Sequence, residues 1–148
     1  MTLYECGVRY NKTADNGMTK KVTELYLVDA CSFAEAEARI IGELSYANSS
    51  DIDVVSIKRT NYSEIVEGLS SADKWFKAKL VFASLDEKSG KEKKQAVYVI
   101  VHASDITKAH SSVVEHMKGS VMDYEIATLD ETKIIGLFRY KVNASDNG

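Results

Sequence analysis

The segment from Gly17 to Ile41 matches Gly90 to Val114 without a gap: Gly17, Lys20, Lys21, Val28, Ala30 and Ala36 face Gly90, Lys93, Lys94, Val101, Ala103 and Ala109. A unit present twice restricts the chain to folds in which one arrangement of elements recurs, and it makes surfaces recur with them. With 148 residues, 45% of them hydrophobic, the chain has material for one substantial core, whereas either copy alone would be marginal. A single domain over residues 1–148 is therefore expected, made of a first repeat (1–66), a linker (67–74), a second repeat (75–142) and a polar tail (143–148).

Tyr4, Cys6, Val8 and Tyr10 alternate with more polar neighbours, and Phe76, Ala78, Leu80 and Phe82 repeat the alternation, the mark of a half-buried strand. Asn16-Gly17 and Ser89-Gly90 follow as turn pairs suited to positive φ, and strands return over Val22 to Ala30 and Ala96 to Ala103. Ser32 with Glu35 makes a capping box, and Asp105 takes the same place in the second copy. Behind these caps, Phe33, Ala36, Ile40, Ile41 and Leu44 form an apolar stripe at helical spacing, reproduced by Ile106, Ala109, Val113, Val114 and Met117. Ala47-Asn48-Ser49-Ser50 is expected to end the first helix and Gly119 the second. Val54 to Ile57, Tyr62 to Val66, Ile126 to Leu129 and Ile134 to Phe138 complete the strands. The linker contains Ser70 and Asp73, spaced to cap a short helical turn. The expected class is α+β: tandem pseudo-symmetric ββαββ repeats forming a mostly antiparallel sheet with two helices on one face, or two half-sheets about a pseudo-twofold axis.

Catalytic signatures are not expected to emerge from this composition. His102, His110 and His116 have neither metal-ligand spacing nor a recognisable triad partner, so they read as structural. Glu35, Glu37, Glu43, Asp130 and Glu131 read as solvated faces. No glycine-rich phosphate loop occurs. Cys6 and Cys31, outside any C-x-x-C or Cys/His cluster, read as buried free thiols. No cofactor and no metal is therefore expected, and no enzymatic activity. The first residues lack a basic segment followed by an apolar one, and no run approaches the ~18 apolar residues of a membrane span, so a cytoplasmic protein with no membrane partner is expected. Asn143-Ala144-Ser145 matches the glycosylation triplet only by spacing.

A net charge of −3 and a pI near 5.6 provide no bulk attraction to polyanions, so any nucleic-acid contact must be local. Two local patches qualify. Lys12, Lys20 and Lys21 flank the first turn, and Lys88, Lys91, Lys93 and Lys94 flank the second. Paired basic tips can straddle a phosphate backbone, with Trp75, Tyr4, Tyr62 and Tyr98 available to stack on unpaired bases. The competing reading is that hairpin lysines keep the sheet soluble. Lys58, Arg59 and Tyr62 make a smaller patch; the second copy has Asp130 and Glu131 in place of the two cations. That inversion implies either specialised surfaces or attraction between the copies or between two molecules.

The stretches Lys20-Lys21-Val22-Thr23-Glu24, Tyr26 to Ala30 leading into Ser32 to Ile40, Ser56-Ile57-Lys58-Arg59, Ala72 to Lys77 and Leu85 to Gly90 carry a resemblance along nearly the whole chain. The chain resembles a domain-of-unknown-function family of Bacteroides-group bacteria, their mobile elements and phages. The resemblance implies a bacterial or phage cytoplasm and a replication or mobile-element neighbourhood, and it supplies no catalytic residues to carry over. Together these observations lead to the expectation of a non-enzymatic accessory protein of phage or mobile-element DNA metabolism that contacts single-stranded nucleic acid through its basic hairpins. The alternative is a protein–protein interaction module or structural component without nucleic-acid binding, which would use an exposed sheet face or edge.

Overall fold

Alternation of apolar and polar residues fixes the strands, and caps and turn glycines set where they give way to helices and hairpins. A computed structural model describes residues 1–45, 52–68 and 71–139. In chain order the elements are β1 (Leu3–Thr13), β2 (Thr19–Asp29), α1 (Phe33–Ser45), β3 (Asp53–Arg59), β4 (Tyr62–Val66), β5 (Lys74–Leu85), β6 (Glu92–Ala103), α2 (Ile106–His116), β7 (Tyr124–Glu131) and β8 (Ile134–Phe138). The chain separates into two units, Met1–Thr60 with Ile134–Gly148, and Asn61–Lys133.

The first unit holds a four-stranded sheet of order β3-β1-β2-β8, and the second one of order β4-β6-β5-β7. The long hairpins β1/β2 and β5/β6 are antiparallel, as are β1/β3 and β5/β7, whereas β2/β8 and β4/β6 are parallel. Pairing is mostly antiparallel, as expected, but the single sheet with both helices on one face is corrected to two mixed sheets, each with its own helix, as in the half-sheet alternative. The fourth strand of each half of the chain completes the sheet built from the other half. A parallel neighbour needs a long connection; the intervening elements supply it for both β4 and β8.

The two units match in detail. The β1/β3 ladder slips between Gly7 and Val8, and the β5/β7 ladder between Lys79 and Leu80. Ser63 in β4 and Ile135 in β8 are both skipped in their parallel ladders. Thr60 donates its N–H and hydroxyl to the Leu3 carbonyl at 2.9 and 2.7 Å, and Thr132 does the same to Trp75 at 2.8 and 2.8 Å. Ser32 Oγ accepts from Glu35 N at 3.1 Å and Asp105 Oδ1 from Lys108 N at 2.8 Å, capping α1 and α2. Gly17, Gly90 and Gly119 have φ of 83°, 68° and 85°, as the turn and helix-end readings require.

One apolar cluster joins Tyr4, Cys6, Val8, Tyr10 and Val28 of the first sheet to Ala36, Ile40 and Leu44 of α1, with Phe138 of β8 packed against it. The other joins Phe76, Ala78, Leu80, Val99 and Val101 to Ala109 and Val113 of α2 and to Val66 of β4. Each buried aliphatic side chain of this kind contributes about 1.5–3 kcal/mol relative to exposure. Gly136 matters locally: a Cβ there would lie 3.0 Å from the Tyr26 ring, which stacks on Phe138 at 5.6 Å.

Two further expectations are corrected. Phe33, Ile41, Ile106 and Val114 are exposed rather than buried, because a sheet covers only the narrow strip of helix centred on Ala36, Ile40 and Leu44, or on Ala109 and Val113. Cys31 is exposed, lying in the turn before the Ser32 cap, while Cys6 is buried in the β1 core. The expected helix end at Ala47 to Ser50, the Ser70 cap of the linker, and the polar tail with its Asn143 triplet lie outside the described residues.

Candidate nucleic-acid interface

The ladder of β3 on β1 ends at Arg9, and that of β8 on β2 begins at Leu25. From Tyr10 outward the first hairpin is therefore a two-stranded ribbon extending past its sheet, and every residue from Asn11 to Lys21 is exposed. Its turn is held by Ala14 N donating to Met18 O at 2.8 Å, Gly17 N to Ala14 O at 2.9 Å and Met18 N to Asn16 Oδ1 at 3.0 Å. The register sets Lys12 directly opposite Lys20, and Lys21 opposite Asn11. Like charges opposite each other destabilise a hairpin by a few tenths of a kcal/mol. Among the described residues no carboxylate stands within ion-pair distance of Lys12, Lys20 or Lys21. The ribbon thus carries three lysines that no described carboxylate pairs with, Asp15 being the one acidic residue of its tip.

The second hairpin extends likewise, since the β7 ladder stops at Phe82 and that of β4 starts at Tyr98. Asp86 organises its tip. The carboxylate accepts from Lys88 N at 3.1 Å and Ser89 Oγ at 3.0 Å, its carbonyl accepts from Gly90 N at 2.7 Å, and Lys93 Nζ lies 3.8 Å away. That ion pair is mostly solvated, with Lys93 71% exposed, and pairs of this kind contribute at most about 1 kcal/mol. Lys88, Lys91 and Lys94 are exposed with no carboxylate partner among the described residues. Asp86 is the acidic neighbour that the lysine count alone overlooks; the run Asp86-Glu87-Lys88-Ser89-Gly90 carries its signal, a side-chain-capped turn.

The smaller patch does not form within one sheet. Lys58 and Arg59 are exposed on β3, opposite Glu5 and Tyr4. Tyr62 opens β4 in the other sheet, half-buried and opposite Tyr98. The charge inversion between the halves is compensated strand by strand: Glu5 faces Lys58 in the first sheet, and Lys77 faces Asp130 in the second, where Lys74 also lies 3.5 Å from Glu131.

The aromatic expectation needs correction at two positions. Trp75 is 5% exposed, its indole stacked on His102 at 4.1 Å and 5°. Tyr4 is 4% exposed in the α1-side core, edge-on to Phe33 at 5.0 Å. Neither ring has a face open to a base. Tyr98 is half-buried beneath Lys77 Nζ, 4.9 Å from its centroid. His116 bonds through Nε2 to the Glu64 carboxylate, and His102 Nδ1 lies 4.0 Å from Glu67. No group of three metal-ligating side chains occurs among the described residues. No described helix is long and apolar enough to cross a membrane.

Compared with known proteins, the chain matches one family model, described as a domain of unknown function (DUF4494), over residues 2–140. No curated protein and no solved structure matches it.

Proposed function

The chain belongs to the DUF4494 family along residues 2–140, and from that premise we propose that it is a non-enzymatic accessory protein of phage or mobile-element DNA metabolism that holds the phosphate backbone of single-stranded nucleic acid. The observation carrying this reading is the lysine ribbon of the first hairpin, with Lys12 facing Lys20 and Lys21 beside them. A phosphate placed there relieves like-charge repulsion and releases condensed counterions. The same reading takes the two halves as descendants of one copied ββαββ unit in a bacterial cytoplasm. Shared ladder slips, caps and strand order support that descent, and the basic hairpins then come as a pair.

With Trp75 and Tyr4 buried, binding rests on charge rather than base stacking, so base preference is weak and salt dependence steep. Each phosphate contact to a single strand contributes about 0.7 to the salt slope, so three lysines weaken binding about 100-fold between roughly 20 and 200 mM salt. Fluorescence anisotropy with a labelled oligothymidine measures this directly. Lys20→Glu with Lys21→Glu should abolish binding at low salt. Lys93→Glu with Lys94→Glu should weaken it less, because Asp86 already engages Lys93. Absence of binding by the unaltered protein at low salt, or indifference to the Lys20 and Lys21 reversals, would end the proposal.

A further inference from the structure

Phe33 and Ile41 on α1 occupy the same helical places as Ile106 and Val114 on α2, and they are uncovered to the same degree. Exposure is 52% and 41% on α1 against 52% and 39% on α2. On each helix the two apolar residues stand eight positions apart, about 12 Å along the axis, with one polar residue midway, Glu37 on α1 and His110 on α2. Both are exposed, and neither has a hydrogen bond or ion pair with another described residue. The bordering side chains are short, Ala34 and Ala38 on α1 and Thr107 and Ser111 on α2, so another helix can come close.

We infer that these two rows are complementary halves of one self-association surface, the α1 row of one copy seating on the α2 row of a second copy. Equal spacing lets both apolar pairs meet at once, whether the helices run parallel or antiparallel, and either arrangement brings the midpoints together. There the His110 imidazole N–H donates to the Glu37 carboxylate, giving each group the partner it lacks. Pairing α1 with α1 would instead oppose two Glu37 carboxylates, and pairing α2 with α2 would leave the imidazoles without an anionic acceptor. The remaining unpaired charges agree: Glu43 on α1 and Lys108 on α2 also lack ion-pair partners among the described residues. A second copy is the occupant because each chain already carries the counterpart of its own row.

The contact is heterologous, so a single contact leaves each of the two copies with one row still unpaired. It is also small. One helix flank per copy falls well below the ~800 Å² a side of a standard interface, which makes the association weak and dependent on concentration.

Sedimentation velocity on the full chain across a concentration series tests this, because association through an interface so small is weak. The weight-average sedimentation coefficient should rise across the series. Ile41→Asp and Val114→Asp should each remain monomeric alone, yet an equimolar mixture should give a one-to-one heterodimer, since each variant keeps the row the other has lost. Should either aspartate variant lose its native circular dichroism, Glu37→Lys carries the test: it should weaken association about tenfold, and adding His110→Glu to the same chain should restore it. Four results overturn the inference: an unaltered protein that stays monomeric throughout, an aspartate variant that associates by itself like the parent, a folded mixture that stays monomeric, or a charge exchange that restores nothing.

Discussion

Tyr10 and Tyr26 share an acceptor, both hydroxyls donating to Oε1 of Glu24, the second at 3.3 Å. Burial, followed by the hydrogen bond to Glu24 and its charge, pushes the Tyr10 phenol from 10.0 up to about 12. Burial and the Glu24 charge raise Tyr26 further. Burial, with Glu5 adding to it, pushes the Cys6 thiol from 9.0 up to about 11. In all three the protonated form is favoured in the native state, so between the ordinary and the raised values the folded chain holds more protons than the unfolded one, and stability falls as pH rises. Their contribution is intact only well below pH 9.0, where the Cys6 thiol of the unfolded chain is already half ionised, and is lost progressively through about 11 for Cys6 and about 12 for Tyr10. Urea unfolding at steps across this window should show that decline. Tyr10→Phe should make it shallower while lowering stability at neutral pH by about 1 kcal/mol through the lost hydrogen bond. A variant curve parallel to that of the parent across the window would refute the assignment.

At the scale of elements, local chemistry explains most of what could be read in advance. Ser32 and Asp105 start helices because their oxygens satisfy N–H groups that the helix cannot, and Asn16-Gly17 turns the chain because glycine accepts positive φ. Asp105→Ala should therefore cost about 1 kcal/mol, with most of it returned by Asp105→Asn. The midpoint of urea unfolding reads both, and an unchanged midpoint in the alanine variant would show that the cap contributes nothing. The hairpin lysines were equally legible, since they lie beyond the last apolar cross-strand pairs, where solvent is the default. Alternation tells which of Tyr4, Trp75 and their neighbours share a face, but not which faces are covered, and so both rings read as available for stacking although the fold buries them. The same limit applies to Phe33 and Ile41: helical spacing marks a stripe, whereas its covered width depends on the sheet beneath. Least legible was the destination of β4 and β8, because a five-residue strand carries one alternation whichever sheet receives it.

For the molecule as a whole, that destination ties the halves of the chain together. Each half has its own long hairpin, helix and third strand, but the sheet so formed is completed by a parallel strand from the other half. Without β8, the edge of β2 is left open along Leu25 to Val28, and the α1-side core loses Phe138. Without β4, β6 is uncovered from Tyr98 to Val101, and the α2-side core loses Val66. An open, apolar sheet edge is a template for pairing with another chain. A cut between Gly68 and Leu69 should therefore yield two fragments, neither of which sediments as a cooperatively folded monomer. Each would either melt without a sharp transition or pair with itself by exchanging its spare strand. Mixed in equal amounts, they should form a one-to-one complex with the circular dichroism and unfolding transition of the intact chain, because each then supplies the strand the other lacks. If either fragment folded alone into a stable monomer, its fourth strand could close its own sheet. The exchange between halves would then be incidental to the fold rather than its organising contact.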